Sequence, residues 1–308
     1  MKIRIGTRGS KLALWQAYHI SDLLSKGGID SEIVTIETKG DKILDVTISK
    51  IGSKGVFTEE IEEQLLSGQI DIAVHSAKDM QSELPQDFEL IAFTTREKVN
   101  DVIVSRNQSL SIEDESKPFK LGTSSTRRLA TLKRHYPHIE TVPIRGNLQR
   151  RISKMDEGQC DALLLAYAGV HRMEYDDLIV EHLSLDKFIP PVGQGSVAIE
   201  VAKNLDAEKK AIVRKLTNDP DTEKRLLSER AFLKKLQGGC SVPVFALANL
   251  DGNNLSIVGG VTSLDGQVQI KENASGNIEN AESIGLELAE KVINAGGKEL
   301  LAEIKSQL

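Results

Sequence analysis

The 308-residue sequence predicts an α/β protein of more than one domain, on three observations. Short apolar runs alternate with amphipathic stretches as far as Val201. The pattern Gly-Gln-x-Asp introduces an apolar run twice, at Gly68-Gln69-Ile70-Asp71 and at Gly158-Gln159-Cys160-Asp161. Beyond Pro243, three alternating runs are separated by Asp251-Gly252-Asn253 and Asp265-Gly266, which marks an antiparallel meander. Together these predict two α/β lobes of similar build followed by a small α+β domain.

In order, a strand over Ile3 to Gly6 turns at Thr7-Arg8-Gly9-Ser10 into a helix through Leu12, Leu14, Trp15, Ile20 and Leu24. Ser10 serves as its N-cap and Gly27-Gly28 as its stop. A strand follows at Glu32 to Glu37, then a basic loop with Lys50 and Lys54, then a helix from Thr58 to Leu66 with Thr58 as its cap. The two lysines fit a lid or anion clamp, and equally a solvated loop. Asp101 restarts the pattern. Strands are expected at Val102 to Ser105, Ile139 to Ile144 and Asp161 to Leu165, with helices opening after Thr123-Ser124-Ser125 and after Arg145-Gly146-Asn147. Pro190-Pro191-Val192-Gly193-Gln194-Gly195 turns the chain, and Ser196 to Val201 reads as a strand returning to the first lobe. Helices over Asp206 to Leu216 and Asp221 to Leu236 precede the meander, and helices over Ala281 to Asn294 and Lys298 to Lys305 follow it.

Composition excludes several classes. With 40% hydrophobic and 27% charged residues the chain reads as globular, and a net charge of -6 leaves no basic field for nucleic acid. Any anion site must be local. The start, Met1-Lys2-Ile3-Arg4-Ile5-Gly6, has no long apolar region, and no later run nears ~20 apolar residues, so a cytoplasmic protein without a membrane anchor is expected. Two cysteines, Cys160 and Cys240, argue against a disulfide framework, and neither has metal-ligand spacing.

Chemistry concentrates where the Ile70-to-Val74 run ends in His75, Ser76, Lys78 and Asp79. Open α/β sheets place ligands at the carboxyl ends of strands. Taken alone, the stretch also fits a polar loop with a solvated Lys-Asp pair. Three strand-to-helix turns share one composition: Arg8 with Ser10, Thr123 and Ser125 with Arg127 and Arg128, and Arg145 with Asn147. Free N–H groups and the positive dipole end make such turns anion sites, and arginine adds a fork suited to carboxylate. With Arg151 and Arg172 nearby in sequence, the set predicts a cleft for a polyanionic small molecule. Cys160 sits in an apolar run and reads as structural, whereas Cys240 follows Gly238-Gly239 at the head of a strand, where cationic surroundings would favour thiolate.

These residues resemble porphobilinogen deaminases over essentially the whole length. The resemblance runs through Gly6-Thr7-Arg8-Gly9-Ser10 with Leu12 to Gln16, Asp71 to Asp79, Gly122 to Arg128, Arg145-Gly146-Asn147, Val192 to Gly195 and Gly238-Gly239-Cys240. It implies two lobes like a class II periplasmic binding protein, 1–97 with 196–215 and 98–195, and a third domain, 216–308, with an antiparallel sheet. It implies a monomer with a dipyrromethane cofactor on Cys240 through a thioether, porphobilinogen as the small-molecule substrate, and no metal. Four units are added with loss of ammonia, and the tetrapyrrole is then hydrolysed off. Asp79 would be the catalytic carboxylate, stabilising the cation left when the amine departs and helping remove a ring proton. Lys78, Ser76, Thr123, Ser125, Arg127, Arg128, Arg145 and Gly146 would hold the cofactor. Arg8, Ser10, Gln16, Arg145, Arg151, Arg172, Gln194, Lys50 and Lys54 would meet the substrate, whose units each bring an acetate and a propionate. The chain departs from relatives at Gln81, at Lys98-Val99-Asn100 and at Glu59. A rival reading from another class is a solute-binding or sensor module for a polycarboxylate, against which Asp79 would sit as an unhelpful charge.

Overall fold

The computed structural model describes residues 1–39, 58–239 and 242–307. Lys50, Lys54 and Cys240 fall outside the described residues. The chain forms two compact units, Met1–Glu97 with Gly195–Lys224, and Lys98–Gln194 with Arg225–Leu308.

The first unit contains β1 (Lys2–Arg8), α1 (Lys11–Lys26), β2 (Asp30–Ile36), α2 (Glu59–Leu66), β3 (Ile72–Ser76), a 3-10 turn at Ala77–Asp79 and β4 (Phe88–Phe93), with β10 (Val197–Ala202) and α6 (Ala207–Thr217) arriving later in the chain. The sheet order is β2-β1-β3-β10-β4. β1 runs parallel to β2 and β3, while β10 is antiparallel to both its neighbours. Both faces are covered, which explains why the strands read as apolar runs rather than alternations. One face packs Ile3, Ile5, Ile72 and Val74 with Ile20 of α1 and Val213 of α6, and the other packs Ile70 and Ala73 with Ile61 and Leu65 of α2. Ser10 caps α1 as expected, its hydroxyl accepting from Ala13 N at 3.3 Å. Thr58 does not cap α2. Its hydroxyl instead accepts from Gln81 Nε2 at 3.4 Å.

The second unit opens with β5 (Asp101–Val104), β6 (Lys120–Gly122), α3 (Thr126–His135), β7 (Glu140–Val142), α4 (Leu148–Asp156), β8 (Ala162–Ala166), α5 (Tyr167–Arg172) and β9 (Ile179–His182). Its order, β7-β6-β8-β5-β9, repeats the first sheet with β5 as the antiparallel insertion. This doubled topology agrees with the two class II lobes that the resemblance implies. β7 is shorter than expected because Pro143 has no N–H with which to extend the ladder. The same unit holds a meander of β11 (Val244–Asp251), β12 (Asn254–Thr262) and β13 (Gln269–Asn277), with α8 (Ala281–Val292) and α9 (Lys298–Gln307). Phe232 and Leu236, from α7 (Pro220–Lys235) and the turn after it, pack with Ala246, Ile257, Leu288 and Ile304 in one core. The tip of the β12–β13 turn docks on α3. Lys133 Nζ donates to Leu264 O at 2.9 Å and Arg134 Nη1 to Gln267 O at 3.1 Å.

The Gly-Gln-x-Asp repeat is a structural repeat. Gly68 and Gly158 both take positive φ, 67° and 80°, where a side chain would be strained. Asp71 bonds β1 twice, and Asp161 bonds its counterpart β6 twice. Asp71 N donates to Arg4 O at 2.9 Å and Arg4 N to its Oδ2 at 2.8 Å; Asp161 N donates to Lys120 O at 2.9 Å and Lys120 N to its Oδ2 at 2.7 Å. The aspartates therefore set the register of β3 against β1 and of β8 against β6. Only Asp71 also holds cations, Arg4 Nη2 and Lys209 Nζ, each at 2.8 Å. Burial alone would push its carboxyl up, yet the bonds from Arg4 and Lys209 hold it at about 2, against an ordinary 3.8.

A depression of that size is worth about 2 kcal/mol, discounted to roughly 1–2 because both cations are partly exposed. That stability is complete above about pH 4, where the unfolded chain has also lost the proton, and disappears as pH falls from about 4 to about 2. Asp71→Asn should lower the urea-unfolding free energy by about 1–2 kcal/mol at pH 7 and remove this acid-sensitive component. Asp161→Asn should cost less than about 1 kcal/mol, since it keeps the strand contact and loses no ion pair. Equal losses in the two variants would refute the assignment of the ion pair.

Candidate functional site

In the first lobe the chemistry gathers where β3 ends. Ala77 N donates to Ser196 O at 3.0 Å, closing the strand, and the turn Ala77–Asp79 follows at once. Gln16, buried in α1, donates through Nε2 to Ser76 Oγ at 2.8 Å and so fixes the last side chain of the strand. Lys78 is half-buried and Asp79 exposed. Asp79 makes no side-chain hydrogen bond or ion pair with a described residue, unlike Asp71 and Asp101. Arg8 and Ser10 are half-buried at the opening of α1, where the Ser10 oxygen accepts the cap bond and its O–H remains a donor. His75, singled out with Asp79 by sequence, is directed elsewhere. Its Nε2 lies 3.0 Å from Oε2 of Glu200, a carboxylate fully buried in β10.

In the second lobe the corresponding strand end differs. β8 closes with the equivalent bond, Tyr167 N to Asn100 O at 3.0 Å, but the chain continues into α5 and places Gly169 at the third position of the turn, where the first lobe has Asp79. The pair Arg127 and Arg128, expected in an anion-binding turn, is drawn into the lobe interior. Both are buried, and each donates one Nη2 bond of 2.7 Å to the fully buried Asp101. Burial would push Asp101 up, but the two guanidinium groups hold its carboxyl well below the usual carboxylate range. Gln194 Nε2 completes the cluster, 3.1 Å from Asp101 Oδ1 and 2.7 Å from Val99 O. Thr123 is buried and accepts from Ser125 N at 3.3 Å, and the Ser125 side chain makes no cap bond. Asn147 caps α4 by accepting from Arg150 N at 2.9 Å. Arg151 Nε donates to Gly146 O at 2.7 Å, which fixes the turn bearing the half-buried Arg145. Arg172, half-buried, ends α5.

Cys160 behaves as the apolar context predicted: it is buried, and burial pushes its thiol up to about 11, which leaves it unreactive at neutral pH. The departures from the relatives' pattern have local partners. Asn100 Nδ2 donates to Leu183 O at 3.0 Å, and Glu59 accepts from Lys39 Nζ at 2.7 Å.

Sequence reasoning did not single out Asp101 or Glu229 as functional. Asp101 heads the apolar run Val102-Ile103-Val104 just as Asp71 and Asp161 head theirs, and that shared placement was the available signal. Glu229 lies on the apolar stripe of α7 between Leu226 and Leu233. Fully buried, it accepts from Gly193 N and Ala248 N, both at 2.9 Å, and so ties the glycine-rich turn to β11.

Two family models match the chain: "Porphobilinogen deaminase, dipyromethane cofactor binding domain" over residues 3–210, and "Porphobilinogen deaminase, C-terminal domain" over residues 224–294. A porphobilinogen deaminase of Desulfosudis oleivorans is 56% identical over 307 residues, spanning 100% of this chain and 99% of that protein. One of Cytophaga hutchinsonii is 54% identical over 306 residues, spanning 99% and 98%. Among solved structures, the second substrate binding domain of a putative amino acid ABC transporter from Streptococcus pneumoniae is similar at 14% identity and a TM-score of 0.43, over 70% of this chain and 91% of that one. No helix among the described residues is long and apolar enough to cross a membrane. The chain belongs to the porphobilinogen deaminase family, the transferases that use a dipyrromethane cofactor to join four porphobilinogen units with release of ammonia and yield hydroxymethylbilane for tetrapyrrole synthesis.

Proposed function

We propose that Asp79 is the catalytic carboxylate of this reaction, that Cys240 carries the cofactor, and that the arginine-bearing turns hold acetate and propionate groups. One observation carries the first assignment. Of the four aspartates at the ends of the sheets' central strands, Asp71 and Asp101 are neutralised by cations and Asp161 accepts from Lys120 N in the ladder, while Asp79 is exposed and makes no side-chain hydrogen bond or ion pair with a described residue. A free carboxylate at the end of a buried strand stabilises positive charge developing on a substrate ring and accepts a ring proton. An uncommitted negative charge has no evident use in a module built only to bind polycarboxylates, so the rival reading is set aside.

The residues suit a cofactor bearing carboxylates. Arg128 Nε is a buried donor with no partner among the described residues, and Arg127 and Arg128 each use two N–H bonds on protein oxygens, leaving donors for an anion. When bound, the dipyrromethane supplies the pyrrole carbon onto which units are added. On this reading Thr123, Ser125, Arg127, Arg128, Arg145 and Gly146 hold the cofactor from the second lobe, and Ser76, which ends β3, and Lys78, in the turn beside Asp79, hold it from the first. Arg8, Ser10 and Gln16 on one lobe, and Arg151, Arg172 and Gln194 on the other, meet substrate. Lys50 and Lys54 are assigned to substrate from sequence alone. The reading keeps a three-domain division, 1–97 with 196–215, 98–195 and 216–308, and a cytoplasmic monomer. Support for that setting is the net charge of -6, which disfavours nucleic acid, and a C-terminal sheet with its own core.

Asp79→Asn keeps the shape of the side chain and removes its charge. Turnover should fall at least about a hundredfold, the scale of positioned acid-base or charge stabilisation, in protein that still carries cofactor. Near-normal porphobilinogen consumption would remove Asp79 from the reaction. Cys240→Ser should lack covalent cofactor by intact mass, because a neutral hydroxyl is a weaker nucleophile than a thiolate, whereas Cys160→Ser should keep it. Added mass on the Cys240 variant, or its loss from the Cys160 variant, would overturn the attachment.

A further inference from the structure

The second lobe buries more positive than negative charge at one point, and the sheet does not require it. Asp101 opens β5 opposite Ala166, the residue that ends β8. In the first lobe the same register position, opposite Ser76, is Val197, so the topology closes equally well around an apolar side chain. Asp101 is fully buried and takes Arg127 on Oδ2 and Arg128 on Oδ1, both at 2.7 Å. Each guanidinium is held a second time by a backbone carbonyl, Arg127 Nη1 to Ile189 O at 3.0 Å and Arg128 Nη1 to Leu164 O at 2.8 Å.

Two fixed points on a planar, rigid group determine its orientation, so neither arginine is free to choose its aim. One carboxylate cannot neutralise two guanidinium groups. A buried cluster with surplus positive charge and the unused Arg128 Nε donor is costly unless an anion completes it. Lobe stability alone would be served better by a Val-like residue at position 101 and apolar side chains at 127 and 128.

We infer that Asp101 is a positioning residue, which orients Arg127 and Arg128 so that their remaining N–H groups receive a carboxylate of the dipyrromethane cofactor. This rests on the assignment of the two arginines to the cofactor made above. Asp101 touches neither cofactor nor substrate in this role. It acts through the guanidinium groups, and Gln194, 3.1 Å from Oδ1, supports it from the glycine-rich turn.

The test compares thermal midpoints of the apo form, made in cells that cannot synthesise porphobilinogen, and the holo form, for wild type, Asp101→Asn, Asp101→Glu and Arg128→Leu, with cofactor occupancy read by intact mass. Asp101→Asn should lower the apo midpoint and, separately, shrink the holo-minus-apo difference to half or less. Asp101→Glu, which keeps the charge and moves it by one methylene, should shrink the difference with a smaller apo effect, and it decides the matter if the Asn variant does not fold. Occupancy should fall in both. If both Asp101 variants retain the full holo-minus-apo difference while Arg128→Leu loses it, Asp101 is merely structural and the inference fails. If Arg128→Leu also retains it, the assignment of the arginines to the cofactor fails instead.

Discussion

Each lobe is built around the same constraint, an antiparallel strand inserted beside the third parallel strand and ending that strand at a fixed residue. Val197 pairs with Ser76 and Asp101 with Ala166, and the next backbone bond, to Ser196 O or Asn100 O, is 3.0 Å long in both cases. The other end of the third strand is fixed as rigidly, by Asp71 on Arg4 and Asp161 on Lys120. A strand pinned at both ends delivers its following turn to one place. Buried side chains on both faces, from Ile72 to Val74 and from Ala162 to Leu165, make slippage expensive, because a one-residue shift would exchange the two packed faces.

On this shared frame the two lobes place their carboxylates differently. The first lobe leaves the inserted position apolar and places a free carboxylate in the turn after the third strand. The second has glycine in that turn and puts its carboxylate at the inserted position, where it gathers two arginines. One arrangement suits charge developing on a ring, and the other suits carboxylates that stay anionic throughout.

Much of this was legible in the sequence. Apolar runs gave most of the strands but not β4, β6 or β9, the Gly-Gln-x-Asp pattern gave the duplication, and Asp251-Gly252 and Asp265-Gly266 gave the meander, because each rests on local periodicity or turn chemistry. Thr58 misled because a β-hydroxyl before a helix has two outlets, a cap bond or a side-chain partner, and Gln81, distant in sequence, supplied the second. The burial of Arg127 and Arg128 was hidden because it depends on Asp101, which is distant in sequence and becomes adjacent only through the sheet order β6-β8-β5. His75 looked like part of the site for the same reason, its partner Glu200 arriving on a strand from much later in the chain. Long-range pairing of buried charges is the element of this protein that spacing alone does not reveal.

The division of labour between Asp79 and the arginines is tested most directly by single-turnover porphobilinogen consumption, measured across substrate concentration in cofactor-bearing Asp79→Asn and Arg172→Leu side by side. The saturating rate should collapse in the Asn variant with its half-saturation concentration little changed. In the Leu variant the half-saturation concentration should rise far more than the saturating rate falls. The reverse pattern, with affinity lost at position 79 and rate lost at position 172, would contradict the assignment of the chemistry to Asp79 and of substrate carboxylate binding to the arginines.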